Sequence, residues 1–228
     1  MSYTYLLLNV LTISFPLVRS FEPRVHFVSR WRYLLPAILL TGAVFIVWDE
    51  WFTQMGVWSF NPKYLSGIYL LSLPLEEWLF FLTVPFACTF IYEVLIYFFP
   101  KTPKISWVRP FTAIIAVGFL VVGILYRDRY YTGITFTGAG VWLLINLFTL
   151  PAVYQFRMWS AYAVSLLPFF LVNGLLTSLP VVEYNDQENL GIRVWSIPLD
   201  DFVYGLFLLW MTQTIYEWLR RRKHIHLN

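Results

Sequence analysis

Charge is scarce in this 228-residue chain. Asp, Glu, Lys and Arg make up 13% of it, against roughly 25% in an ordinary soluble domain. Hydrophobic residues make up 59% and the mean hydropathy is +0.63. That excess of apolar surface cannot be buried in one soluble core, so the chain reads as an integral membrane protein. Cysteine is nearly absent. Cys88 stands alone in an apolar run, which excludes an intrachain disulfide. Histidine is rare too, and His26, His224 and His226 all fall in charged segments, which argues against a buried histidine site. There is no glycine-rich nucleotide fingerprint and no zinc-type ligand spacing, so no flavin, nicotinamide or metal is expected. The net charge of +3 is spread along the chain, and nucleic acid is not an expected partner.

What is present is apolar runs of membrane-spanning length, about 20 residues each. They place seven helices near 3–18, 33–51, 74–99, 110–126, 134–154, 159–179 and 198–219. The first resembles a signal peptide in length. Its positive charges follow it and no small-residue cleavage site is seen, so it reads as an uncleaved helix. Basic residues set orientation. Twelve of the sixteen fall on one side, in segments 19–32, 100–109 and 155–158 and in the tail 220–228. Lys63, Arg127, Arg129 and Arg193 fall on the other. The bias predicts an outside N-terminus and a cytoplasmic C-terminus in the cell membrane. The tail "RRRKH" reads as a stop-transfer cluster rather than a nucleic-acid patch.

The chain also repeats itself. Segment 67–95, "GIYLLSLPLEEWLFFLTVPFACTFIYEVL", aligns without a gap on 191–219, "GIRVWSIPLDDFVYGLFLLWMTQTIYEWL", with ten of 29 positions identical. Acid replaces acid: Glu76 by Asp200 and Glu77 by Asp201. At the same offset of 124, Asp49 meets Asn173 and Thr53 meets Thr177. "LLLN" with Thr12 echoes "LLIN" with Thr149 at an offset of 137. The expected architecture is an all-α membrane domain, 1–228. Repeat A (1–99) and repeat B (131–219) are joined by a connecting helix within 100–130 and related by an axis along the membrane normal.

The paired acids open two of the most apolar helices. Pro74 and Pro198 two residues earlier suit a helix start, where free N–H groups favour a carboxylate. That explains one acid, not two in each repeat. The apolar segment 64–73 ahead of them predicts a chain that dips back into the membrane. Acids at that depth are costly and usually functional. Residues i and i+1 point about 100° apart, so both acids can border one pocket without sharing a face. A protonated carboxyl there serves as a general acid. Glu76 and Glu77 are expected as the principal acid/base pair, with Asp200 and Asp201 opposite them. Asp49 and Asn173 are candidates to hydrogen-bond these carboxylates, or else mark a helix end at the interface. Trp78, Phe80, Phe81 and Tyr204 are candidate substrate-binding rings, since aromatic faces stabilise cations and also form membrane belts. Glu93 and Glu217 read as ion-pair anchors within reach of Lys101, Lys104 and Arg220–Arg222.

"PLEEWLFF" with "FIYE", the echo "IPLDD" with "YG", and "GVWSFNP" at 56–62 resemble the membrane lycopene cyclases of the non-flavin type, in their fused form. The likeness covers nearly the whole chain. Asp200 departs from it, standing where Glu is expected. The resemblance implies lycopene as a lipophilic substrate and an isomerisation to γ-carotene and then β-carotene, in which an acid protonates the terminal double bond. A cyclase for longer C50 carotenoids and a non-enzymatic carotenoid or retinoid carrier stay open. Oligomeric state is not readable, and membrane lipid is the other expected contact. A retinal photoreceptor would need a lysine in 198–219, which has none. An intramembrane glutamate protease would want arginine where Phe81 stands. A prenyl transferase would want a third acid and the opposite face.

Overall fold

A computed structural model describes residues 3–101 and 105–225. Lys104, His226 and the end of the basic tail lie outside the described residues, as do the side chains beyond Arg221. Among the described residues there are seven α-helices: α1 (Thr4–Arg19), α2 (Trp31–Met55), α3 (Leu75–Phe98), α4 (Val108–Leu125), α5 (Tyr130–Thr149), α6 (Ala152–Ser178) and α7 (Leu199–Ile225). Five are long and apolar enough to cross a membrane: the run from Phe27 to Met55 that contains α2, then α3, α4, α5 and α6. Helix α1 is apolar but shorter. The apolar run of α7 is interrupted by Asp200, Asp201, Gln213 and Glu217.

Three boundaries differ from the hydropathy reading by five residues or more: α7 runs on to Ile225 where 219 is expected, and the other two lie at Pro151. Pro151 is the cap residue before α6, so α5 ends at Thr149 and the expected loop 155–158 is helical. Proline suits a helix start, and the residue before it is pushed extended; Leu150 is extended, although Pro16, Pro36, Pro85 and Pro168 are accommodated inside other helices.

Helices α3 and α7 run side by side through the middle. Helices α1 and α6 flank α3, while α5 and α2 flank α7. Helix α4 packs on α5 and α6 at the periphery. Outside the helices, β1 (Trp58–Phe60) follows α2 and β4 (Val182–Tyr184) follows α6. They pair antiparallel, Ser59 opposite Glu183. Those two residues are 124 apart, so the centre of the pairing coincides with the centre of the repeat. The backbone bonds obey the same relation: Asn61 N–H to Val181 O, and Asn185 N–H to Val57 O, each at 2.9 Å.

A small hairpin precedes each acid pair. Strands β2 (Tyr69–Leu70) and β3 (Leu73–Pro74) lead into α3; β5 (Arg193–Val194) and β6 (Ile197–Pro198) lead into α7. Two-residue hairpin turns call for positive φ. Leu71 and Trp195 supply it, at φ 60° and 61°, 124 residues apart. Leu71 and Trp195 are also three-quarters exposed.

The first helix of each half aligns differently from the expected echo. Tyr5 and Tyr131 hold equivalent places, each donating to the second acid of its half, an offset of 126 and not 137. Asn9 sits by the acids, bonded to the Glu76 carbonyl and to Thr83, whereas Asn146 accepts from Thr214 near the far end. The shared "LL-x-N" string reflects common apolar composition, not common position.

Candidate active site

Each acid pair divides its labour along the helix. Glu76 Oε1 accepts from the Ser66 N–H at 2.7 Å. Asp200 accepts from the Leu190 N–H at 3.1 Å and from Thr132 at 2.5 Å. Ser66 and Leu190 are again 124 apart. The first acid of each pair therefore ties down the segment that leads into its helix, and neither lines the internal cavity. This corrects the expectation that Glu76 works beside Glu77, and Asp200 beside Asp201. The 100° turn between neighbours sends one carboxylate to the loop and the other inward.

Glu77 and Asp201 do face inward, onto one cavity of about 510 Å³ between α1, α3, α6 and α7. The size is ordinary for a small-molecule site. Asp49 lines it as well, so three carboxyls, Asp49, Glu77 and Asp201, border the same cavity. All three carboxyls are at least nine-tenths buried. Among the described residues no acidic, histidine or cysteine side chains converge in a metal-binding cluster.

The two inward acids have different partners. Asp201 accepts three hydrogen bonds: from Tyr131 at 2.6 Å, Asn173 at 2.7 Å and Tyr184 at 2.9 Å. Among the described residues Glu77 accepts one, from Tyr5 at 2.6 Å. Asp49 bonds neither carboxylate, and its Oδ2 is buried without a partner. Asn173 is thus the hydrogen-bonding member of the Asp49/Asn173 pair. Burial and the Asp201 carboxylate push the Tyr184 hydroxyl well above the ordinary phenol range, so it stays a donor. Rings close the site around the acids: Trp58 and Tyr131 at 5.0 Å, Trp48 and Tyr204 at 5.1 Å, and Tyr131 stacked on Tyr184 at 6.0 Å and 13°.

Of the expected substrate-binding rings, Phe80 and Tyr204 line the cavity. Phe81 does not; it packs against Phe45 with ring centroids 6.2 Å apart. Trp78 turns to the hairpin, its indole donating to the Leu70 carbonyl at 3.3 Å. Tyr5, Tyr131 and Tyr184 were not foreseen. The signal was a tyrosine opening each first helix, hidden by the wrong register.

At the far end of α3 and α7, Tyr92 donates to Glu217 at 2.9 Å and Tyr216 to Glu93 at 2.8 Å. Arg220 bridges Glu93 at 2.8 Å and Glu217 at 3.4 Å, and Arg30 reaches Glu93 at 3.6 Å. Glu93 and Glu217 are ion-paired as expected, by Arg220 and Arg30 and not by Lys101.

The model of the lycopene cyclase family matches residues 2–95 and 128–219. The chain belongs to the lycopene cyclase family. The two matched segments leave out 96–127, which holds α4. A bifunctional lycopene cyclase/phytoene synthase from Aspergillus oryzae is 21% identical over 178 residues, 73% of this chain and 30% of the fungal protein. The chain thus spans under a third of that relative's length. No solved structure matches. In this member of the cyclase family both inward acids, Asp49 and the surrounding tyrosines come from within the matched segments.

Proposed function

We propose that this chain is a lycopene β-cyclase that spans the membrane seven times, N-terminus outside and C-terminus in the cytoplasm. Two three-helix repeats would build one site between them. The observation that best supports the reading is that Asp49, Glu77 and Asp201 border one largely apolar, aromatic-rich cavity in a chain of the lycopene cyclase family.

Glu77 is the proton donor in this proposal. Asp201 accepts three hydrogen bonds, and donors of this kind favour the charged form of a carboxyl. Glu77 has one donor and a second carboxyl, Asp49, beside it. Two close carboxyls that share a buried site hold a proton between them rather than both ionise. An alkene is a very weak base, so the donor must be dry and aimed at it. Glu77 adds its proton to the terminal double bond, and a tertiary cation forms at the adjoining carbon. The neighbouring double bond attacks that carbon and closes a six-membered ring, which moves the charge into the ring. Loss of a ring proton to the Glu77–Asp49 pair restores a double bond and resets the site. One proton enters and one leaves, so substrate and product are isomers. Asp201 and the faces of Tyr131, Tyr184, Tyr204 and Trp58 stabilise the cation.

Expression in a lycopene-accumulating bacterium, followed by pigment chromatography, tests this. β-Carotene with transient γ-carotene is expected. Unchanged lycopene beside membrane-inserted chain would overturn it, and conversion of C50 carotenoids alone would reassign the substrate length.

A further inference from the structure

The cavity does not respect the symmetry of the scaffold around it. At three pairs of equivalent positions, 124 apart, one member is small and the other is a large aromatic ring. Gly205 on α7 stands where α3 has Phe81, and Val172 on α6 stands where α2 has Trp48. Thr83 on α3, bonded to Asn9 at 2.7 Å, stands where α7 has Phe207. Phe207, Phe81, Phe45 and Trp48 fill the α2–α7 side in one aromatic cluster, Phe45 lying 5.3 Å from both Phe207 and Trp48. Phe207 is seated against Gly138 of α5, where a Cβ would lie 2.8 Å from the ring. On the other side no such plug exists. Gly205 and Val172 line the cavity, which continues from the acids along α1 to Leu11 and Phe15 and along α6 to Leu171. Those three residues are 60%, 67% and 66% exposed, so the cavity reaches an apolar outer surface of the bundle.

From this we infer that the site has one lateral portal, between α1 and α6, and that a long hydrocarbon reaches the acids through it from the bilayer while its remainder stays in lipid. The inference rests on the proposed cyclase reading for the identity of the hydrocarbon. The wall beyond the acids is predominantly apolar, with Thr12, Tyr162 and Ser165 as its few polar side chains, which suits a polyene. The α2–α5 side, closed by Phe207 and Trp48, admits no second chain. A linear substrate with two reactive ends must therefore back out, reverse and return. The monocyclic intermediate is then released between the two closures.

A reversible bridge tests the portal. Leu11→Cys with Leu171→Cys places thiols on its two lips; Val47→Cys with Val141→Cys places them on α2 and α5, at the positions equivalent to Leu171 and Phe15. Both pairs are treated with a reducible bifunctional maleimide. The unmodified chain, whose cysteine Cys88 is buried, serves as the reagent control. Uptake of lycopene from vesicles is read by the carotenoid absorbance that stays with the purified protein, and conversion by chromatography. Bridging α1 to α6 is expected to cut uptake and conversion at least tenfold, with recovery on reduction of the linker, which separates closure from misfolding. The α2–α5 bridge is expected to change both less than twofold. Full uptake through a bridged α1–α6 pair, or a block imposed by the α2–α5 bridge alone, would overturn the portal. Uptake that obeys the portal without any ring formation would instead overturn the cyclase reading. Released γ-carotene that exchanges with added unlabelled γ-carotene before the second closure supports two visits; its retention on the protein through both closures would refute them.

Discussion

Asp49 and Asn173 occupy equivalent places on α2 and α6, as do Phe60 and Tyr184 on β1 and β4. These two exchanges account for most of the difference between the inward acids. In one half, Asn173 and Tyr184 join Tyr131 to give Asp201 three donors. In the other, Asp49 and Phe60 offer Glu77 no donor, leaving Tyr5 alone. The backbone frame is held in common down to the Ser66–Glu76 and Leu190–Asp200 bonds. A duplicated scaffold thus carries two carboxyls at equivalent places with unlike hydrogen-bond partners; in the proposed cyclase reading one stabilises charge and the other delivers the proton. A fully symmetric site would set two anions or two acids against each other. Proton transfer followed by cation stabilisation calls for one of each.

The comparison breaks most severely at the acids themselves. Glu77→Gln removes the proposed donor with little change of shape. General acid catalysis contributes about 10²–10⁴-fold, so lycopene conversion should fall by about 10³ or more. Asp201→Asn should cost about 10²-fold, the scale of a lost electrostatic stabiliser. With a single site, both rings are lost together in each variant. Pigment chromatography decides: γ-carotene formed at near the normal rate by either variant would favour two independent sites, one per half.

A second change makes the first half imitate the second. Asp49→Asn with Phe60→Tyr should present new donors near Glu77 and fix it as an anion. The loss expected is about 10²-fold in conversion with substrate uptake retained. Normal conversion by the double variant would mean that the donor imbalance has no part in proton transfer.

The reverse imitation is gentler. Tyr184→Phe takes one of three donors from Asp201. A hydrogen bond to a charged group is worth about 1.5–3 kcal/mol, but two donors remain and the anion persists. A roughly fivefold fall in rate is expected, with the melting temperature little changed. A loss as large as that of Asp201→Asn would make Tyr184 itself part of the chemistry.

Much of this was legible in the sequence because a membrane limits the options. Backbone groups must bond within a helix, so long apolar runs located the helices to within a few residues, except near Pro151 and at the end of α7, where the charged tail continues the helix to Ile225. Polar residues are costly in an apolar chain, so the matched acids, Asp49 with Asn173 and the Tyr-Glu pairs marked real equivalences. The apolar matches did not. Leucine strings recur by composition, which is why "LLLN" and "LLIN" suggested a register eleven residues from the observed one. Side-chain direction was the other loss. Phe80 and Phe81 differ by one step along α3, yet one meets the cavity and the other Phe45. Nothing in a hydropathy profile separates them. The same step separates Glu76 from Glu77.

That step gives the smallest effect and the sharpest control. Glu76→Gln alters a carboxylate of the same pair, on the same turn, and just as buried. Its Oε1 holds the Ser66 N–H, and its Oε2 is buried with no partner. Glutamine can still accept from Ser66, so the loop stays attached by a neutral bond in place of a charge-assisted one, which is roughly half as strong. The cost should be about 1 kcal/mol of stability, or about 2–4 °C in melting temperature for a chain of this size. Conversion of lycopene should change less than about threefold, since no cavity-lining group is altered. Thermal melts in detergent and pigment yields measured on the same preparation separate the two effects. A Glu76→Gln variant that melts normally but makes no ring would reverse the division of labour, placing the working acid at 76 and the tether at 77.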